Sequence, residues 1–299
     1  MEKKEEQNYK VDMGACGTIE MYNLDSAVSI VFNSIYTNQC KKADDAFYSD
    51  KMLILNCCIN GRCDVFLGQN RYAIVKENHI CLSTIMPEKD FYYPGRLYEG
   101  IQIFVRFHEG KSHLLEYLGI NANKVIESFC EKNGLYINKM SEEIKEHILA
   151  IWEMRAKPDV PTLRFLVATI FHDLFRLPKR SENDTFYTKA QIAIVREAES
   201  MILNDLSKKY TAKEMAEHFR ISESSFKSYI KGILGESYLT NFRNKRMEKA
   251  AELLRTTDFK VIEVANAVGY ENQGKFAKVF AERFGVLPLE YKRMPMHIS

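Results

Sequence analysis

No stretch of this 299-residue chain is apolar for long enough to suggest a membrane span. The most apolar run, residues 163–175, is broken by Arg164, His172 and Asp173, well short of the ~20 apolar residues that a helix needs to cross a bilayer. No export signal is expected either, because residues 1–10 are almost wholly charged and polar where such a signal is apolar. Cysteine is absent beyond residue 130: the seven present, at 16, 40, 57, 58, 63, 81 and 130, form an odd set, and the expectation is reduced thiols in the cytoplasm. There is little net charge, with 42 Lys+Arg against 40 Asp+Glu, and a chain that is 46% hydrophobic and 12% aromatic is not disordered. Signatures of chemistry are also lacking. His79, His108, His113, His147 and His172 are scattered with no pair at ligand spacing on one strand, and neither a phosphate-binding glycine loop nor a nucleophile motif is present. No enzyme, metal or other cofactor is expected.

What is there divides the chain. From residue 187 onward there are 19 Lys+Arg against 14 Asp+Glu, a net of +5, which leaves −3 for residues 1–186. A basic C-terminal part inside a near-neutral total is the footprint of a polyanion partner. Residues 18 to about 108 read as short β-branched and aromatic strands, among them 29–32, 52–55, 64–67, 72–75, 80–83 and 101–107. Between them Asn60-Gly61 is the sharpest turn signal, since a type I′ hairpin needs positive φ at both central residues. From about 112 to 177 apolar residues recur three and four apart, so this segment is expected to be helical. The polar, helix-breaking stretch 178–188 reads as a linker. The expected organisation is a domain over 1–177, this linker, and a second domain over 189–299.

The second domain is punctuated as helices. Thr211 and Glu214 form a capping box, so a helix begins at Ala212. Ser222 is a good N-cap, Phe226, Ile230, Ile233 and Leu234 make one buried stripe, and Gly235 stops the helix. A long helix of about 236–255 follows, with Tyr238, Leu239, Phe242, Met247, Ala250, Leu253 and Leu254 facing inward. Then the pattern repeats: Glu214-Met-Ala216 returns as Glu263-Val-Ala265, Phe226 as Phe276, Ile230 as Phe280 and Gly235 as Gly285, with one residue added in the turn. Each copy is a helix, a tight turn and a second helix, which is the helix-turn-helix pattern. Its second helix packs by one apolar stripe and leaves the opposite face free to enter a major groove. Those free faces carry Ser224, Ser225, Lys227, Ser228 and Lys231 in the first copy, and Gln273, Gly274, Lys275 and Lys278 in the second. A connecting helix of nineteen residues spans roughly 28 Å at ~1.5 Å per residue, close to the ~34 Å between successive major-groove faces on one side of DNA.

Residues 190–293 resemble the DNA-binding domain of AraC/XylS-type transcription regulators, above all in Val261-Ile-Glu-Val-Ala-Asn-Ala-Val-Gly-Tyr270, Lys275-Phe-Ala-Lys-Val-Phe280 and Arg283-Phe-Gly-Val-Leu-Pro288. The resemblance implies base-edge contacts from the start of both recognition helices, which fall on Ser224, Ser225, Lys227 and Ser228 and on Gln273, Gly274, Lys275 and Lys278, with Lys231 on the same free face. Arg243 and Arg246, with Lys245 and Lys249, are placed on solvated surface or against phosphates, which position without specifying. Two departures matter: Arg220 stands where the first turn usually has Gly, and Ser228 where an Arg is frequent.

For the N-terminal part the resemblance is architectural only and implies a cupin-like β-barrel with appended helices, a module that senses a small-molecule effector, pairs two subunits, or both. The whole chain is then a two-domain α+β protein ending in an all-α domain with two helix-turn-helix units. Core or rim packing is the first reading of Phe91, Tyr92, Tyr93 and Tyr98, and lining of a ligand pocket is the second. A two-residue turn at Asn60-Gly61 would set Cys58 and Cys63 opposite each other with Cα atoms ~4.5 Å apart, within disulfide range, so a thiol switch stands beside inert buried thiols. The implied partners are double-stranded DNA, RNA polymerase, an effector and a second copy of the chain. A regulator whose N-terminal part makes only protein contacts is the nearest alternative, and a cupin-type metalloenzyme tethered to DNA is a more remote one.

Overall fold

The computed structural model of the chain describes residues 9–41, 52–85, 91–106, 113–117, 119–130, 134–179 and 186–294. The chain divides into two compact units, Met1–Lys189 and Ala190–Ser299.

The first unit is sheet-rich, with strands β1 (Tyr9–Asp12), β2 (Gly17–Asn23), β3 (Val28–Ile35), β4 (Gln39–Cys40), β5 (Met52–Phe66), β6 (Arg71–Lys76), β7 (His79–Ser83), β8 (Phe91–Tyr92) and β9 (Tyr98–Arg106). They are followed by α1 (His113–Tyr117), α2 (Ala122–Phe129), β10 (Leu135–Lys139), α3 (Glu142–Glu153), α4 (Val160–Leu174) and β11 (Tyr187–Thr188). The strands pair antiparallel in the order β1-β2-β3-β9-β5-β6-β11, with β7 joining β5 to β10, while β4 and β8 make a separate pair. Among the described residues no pairing closes this sheet into a ring. Side chains alternate across it as the pleat requires. Leu53, Leu55, Cys57, Ile101, Ile103 and Val105 face a core completed by Ile144, Ile148, Leu163, Val167 and Phe171 of α3 and α4. Cys58, Cys63, Cys81, Tyr93, Tyr98 and Ile137 fill the other face.

The structure departs from the sequence reading in three places here. First, Asn60-Gly61 is not a hairpin turn. Strand β5 runs on for 15 residues, pairing with β9 up to Gly61 and with β6 from Arg62, and the register slips between Cys58 and Asn60. Only Gly61 of the two has positive φ (79°), and a Cβ on it would lie 2.0 Å from the Leu97 carbonyl oxygen. A β-bulge needs the same glycine conformation as a turn, so the dipeptide could not tell them apart. The turn that does reverse the chain after β5 uses Gly68, Gln69 and Asn70, all at positive φ. Second, β10 interrupts the expected helical segment and pairs with β7, Leu135 opposite Ser83. Third, Tyr187 and Thr188 of the expected linker pair with Tyr72 and Arg71 of β6, and residues 180–185 lie outside the described residues.

The second unit consists of α5 (Lys189–Asn204), α6 (Ala212–His218), α7 (Glu223–Leu234), α8 (Tyr238–Thr256), α9 (Val261–Ala267), α10 (Gln273–Phe284) and α11 (Pro288–Arg293). The starts read at Thr211 and Ser222 and the stops at Gly235 and Gly285 have physical counterparts, and the long helix begins two residues later than read, after Ser237. Backbone N–H groups of Glu214, Ser225 and Thr240 donate to the side chains of Thr211, Ser222 and Ser237, satisfying donors that a helix start leaves unpaired. Gly235 (φ 89°) and Gly285 (φ 77°) end α7 and α10 in the left-handed conformation. One inward assignment fails: Leu239 is 71% exposed, while Tyr238 and Phe242 beside it are buried.

Candidate nucleic-acid interface

Each recognition helix is held by the stripe that the heptad-like spacing defines. In α7 Phe226, Ile230, Ile233 and Leu234 are buried, and the Phe226 ring lies 5.2 Å from Tyr238 and 6.2 Å from Phe219. In α10 Phe276 and Phe280 are fully buried, with the Phe280 ring 4.6 Å from Phe284 and 5.3 Å from Tyr291. The supporting helix α6 is capped reciprocally: Glu214 donates its N–H to Thr211 Oγ1 (3.1 Å), and Glu214 Oε2 accepts from the Thr211 N–H (2.8 Å). Those hydrogen bonds hold the Glu214 carboxyl below its ordinary range. In the second copy Glu263 accepts from the Lys260 N–H in the same way.

The outward faces carry the residues assigned to DNA. Ser224, Lys227, Ser228, Lys231, Gln273, Gly274, Lys275 and Lys278 are exposed, and Ser225 is half-buried. The two faces differ in how engaged they are. Lys227 Nζ sits 2.5 Å from Glu223 Oε1, and the hydroxyls of Ser224 and Ser225 lie 3.0 and 2.8 Å from the capping hydroxyl of Ser222. Lys231, Lys275 and Lys278, in contrast, form no ion pair among the described residues, and Asn272 alone caps α10, through the Lys275 N–H.

The connecting helix sorts its basic residues unexpectedly. Arg243 is exposed, whereas Lys249 is paired with Glu252 at 2.6 Å and Lys245 is buried 3.9 Å from Glu248. Arg246, expected on solvated surface or against phosphate, is 8% exposed. Its Nη2 donates to the Lys208 carbonyl at 3.0 Å, and its guanidinium lies 4.2 Å over the Phe242 ring. Burial lowers its pKa from the ordinary arginine value. Periodicity alone could not reveal this, since i and i+3 positions next to an apolar stripe read as surface until a third element covers them.

In the first unit Phe91, Tyr93 and Tyr98 line a cavity of about 40 Å³ together with Asn56, Asp64, Cys63, Cys81 and Gln102. Tyr92 is buried elsewhere, and its backbone N–H donates to Asp64 Oδ1 at 2.8 Å. The Tyr98 hydroxyl donates to Asn56 Oδ1 (2.5 Å), whose amide donates to Cys63 Sγ (3.3 Å). Cys58 and Cys63 lie on one strand on either side of the bulge. Cys58 is opposite His79 and Gly100 and Cys63 opposite Val75, so they do not face each other across a hairpin. Both are free thiols, and burial pushes Cys63 up to about 12 and Cys58 well above the usual thiol value, which suppresses the reactive thiolate. Among the described residues no group of three His, Cys, Asp or Glu is placed to hold a metal ion, and no helix is long and apolar enough to cross a membrane.

Two supported recognition helices, each with a polar exposed leading edge and joined by one 19-residue helix, define a double helix-turn-helix domain. Residues 215–294 match the helix-turn-helix domain family. The chain is 25% identical over 282 residues to the HTH-type transcriptional activator CsvR of Escherichia coli, covering 91% of this chain and 94% of that protein. It is 28% identical to the transcriptional activator AggR of Escherichia coli over 41% of this chain and 48% of AggR. Among solved structures, the C-terminal domain of AraT, a response regulator from Geobacillus stearothermophilus, is 36% identical over 36% of this chain and 90% of that chain, with a TM-score of 0.33. Residues 215–294 thus carry an AraC-type helix-turn-helix domain, and the chain is a DNA-binding transcription regulator.

Proposed function

We propose that α7 and α10 enter two successive major grooves on one side of the same duplex and read it with Ser224, Ser225, Lys227, Ser228 and Lys231 on one helix and Gln273, Lys275 and Lys278 on the other. The observation that carries this reading is the spacing: α8 has 19 residues, roughly 28 Å at ~1.5 Å per residue, against ~34 Å per turn of DNA. Gly274 offers no side chain and serves by close approach of its backbone. Exposed Arg243 touches phosphate and adds affinity without sequence preference. Footprinting tests the arrangement. Two protected segments one helical turn apart are expected, and a single protected segment overturns it. Arg243→Ala should weaken specific and random duplexes alike and lower the salt slope by about 1.

CsvR and AggR are both named transcriptional activators, and activation through contact with RNA polymerase in the cytoplasm is the corresponding proposal for this chain. The first unit, a cupin-like module in this reading, governs that activity. Its cavity is lined by Phe91, Tyr93 and Tyr98, and a small effector held there should change the footprint when metabolites are added. A second reading is favoured by the cavity's size. About 40 Å³ is room for a few water molecules at about 10–15 Å³ each and far below the ~300 Å³ or more of ordinary ligand sites. On that reading the first unit works by protein contact, pairing two subunits. Sedimentation would then show a dimer, and the footprint would be insensitive to every metabolite.

A further inference from the structure

The region where the two helix-turn-helix halves meet is built around one buried charge. Arg246 projects from the middle of α8 into the gap between the segment that leads into α6 and the turn between α9 and α10. On the first side its Nη2 reaches the carbonyls of Lys208 (3.0 Å) and Ser207 (3.5 Å). On the second side it lies 5.8 Å from the Tyr270 ring, and a Cβ placed on Gly269 would stand 2.7 Å from Nη2 and 2.6 Å from the Ser207 carbonyl oxygen. First-half backbone, guanidinium and second-half turn are therefore packed against one another, with Phe242 closing the stack from below at 4.2 Å. Nε of Arg246 has no hydrogen-bond partner, so carbonyl hydrogen bonds only partly offset the burial of this cation, and stacking on two rings adds to them, with the Asp205 charge a smaller contribution. An exposed ion pair between Lys209 and Glu271 (3.7 Å) also joins the two halves, but fully solvated pairs of this kind hold geometry weakly.

We propose that Arg246 is a positioning residue that sets the separation and rotation of the two recognition helices, and through them the half-site spacing the protein accepts. The guanidinium suits the task because it is planar and multidentate. It grips backbone of one half and stacks on a ring of the other, which an ammonium or a thioether cannot do together. This rests on the reading that both helices engage one duplex. When two linked modules bind together, the second gains from the effective concentration that the linkage imposes, and that gain is lost when geometry forbids simultaneous engagement. A rigid junction concentrates the gain at one spacing, and a loosened junction spreads it over several.

The test uses the full-length chain and a duplex selected by it from a randomised pool, then rebuilt with one to five base pairs inserted or removed between the two protected segments. For the wild type, a five-base-pair insertion turns one segment to the opposite side of the duplex and should weaken binding on the order of 100-fold. Arg246→Met should lose about 10-fold at the optimal spacing while its penalty for changes of one base pair falls to about 3-fold or less, and a duplex carrying only one protected segment should bind it as it binds the wild type. Tyr270→Leu, which keeps the arginine but removes one ring of its stack, should broaden the profile by a smaller amount. A folded Arg246→Met with an unaltered spacing profile overturns the proposal, and so does loss of folding in both variants, which would make the guanidinium a stability element only. If the wild type itself shows no dependence on spacing, the two-groove reading fails instead.

Discussion

The two turns of the DNA-binding unit hold the same left-handed backbone at the same place, at Arg220 (φ 55°) in the first and Gly269 (φ 78°) in the second, yet they need different residues. Arg220 is exposed, and its side chain has open solvent to enter, so the turn tolerates a residue whose Cβ disfavours that conformation. Gly269 lies where the Ser207 carbonyl and the Arg246 guanidinium already occupy the space of a Cβ. The first turn therefore shows a conformational preference that can be overridden at modest cost, and the second an absence of room that cannot. The helices behind these turns differ as well. Four aliphatic and aromatic residues anchor α7, whereas α10 leans on the aromatic cluster of Phe276, Phe280, Phe284 and Tyr291.

Truncating the anchors bears hardest on that contrast. Phe280→Ala should destabilise the second unit by about 3–5 kcal/mol and Ile230→Ala, its counterpart in the first copy, by about 2–4, because the ring contacts of Phe280 add to its lost area. Urea unfolding measures both, and a larger loss at Ile230 would reverse the contrast. Next comes Gly269→Ala, expected to cost roughly 2–3 kcal/mol from left-handed strain plus the displaced guanidinium. A loss under about 1 kcal/mol would show that the junction gives way easily. On DNA, Lys278→Ala should weaken specific binding by about 1–3 kcal/mol, while Lys227→Ala should cost less than about 1, since Lys227 is already shared with Glu223. Equal losses in a binding titration would erase the difference between the two faces. The smallest effect belongs to Arg220→Gly, which should stabilise the fold by no more than about 1 kcal/mol, the relief of the strained φ being offset by greater freedom of the unfolded chain. A lower melting temperature would mean that the arginine side chain makes a contact worth more than the strain.

The second unit was largely legible beforehand because its signals are local. A capping box, a serine N-cap or a C-terminal glycine acts within three or four residues, so Thr211, Ser222, Gly235 and Gly285 carry their meaning without knowledge of the rest of the chain. The repeat then located a second unit with one extra residue in its turn. Legibility ended where a third element intervened. Leu239 and Arg246, seven residues apart, lie on nearly the same side of α8 two turns from each other, and residues 207–208 and 269–270 cover only the second, so the charged one is buried and the apolar one exposed. In the sheet, Gly61 announced positive φ but not whether the chain reverses there, and residues 135–139 were too short to reveal a strand without the edge of β7 beside them. The hairpin from which the pairing of Cys58 with Cys63 was read is replaced by a bulge within one strand.

From residue order alone came the division into a sheet-rich and a helical part, the two recognition helices with their outward residues, and the family they belong to. These follow from periodicity and capping, which are properties of neighbours along the chain. Folding in three dimensions decided the bulged course of β5, the small size of the cavity beside Tyr98 and the burial of Arg246 between two halves. Each of those depends on which distant backbone arrives next to a side chain, because space, dielectric and hydrogen-bond partners are set by contacts that no local pattern encodes.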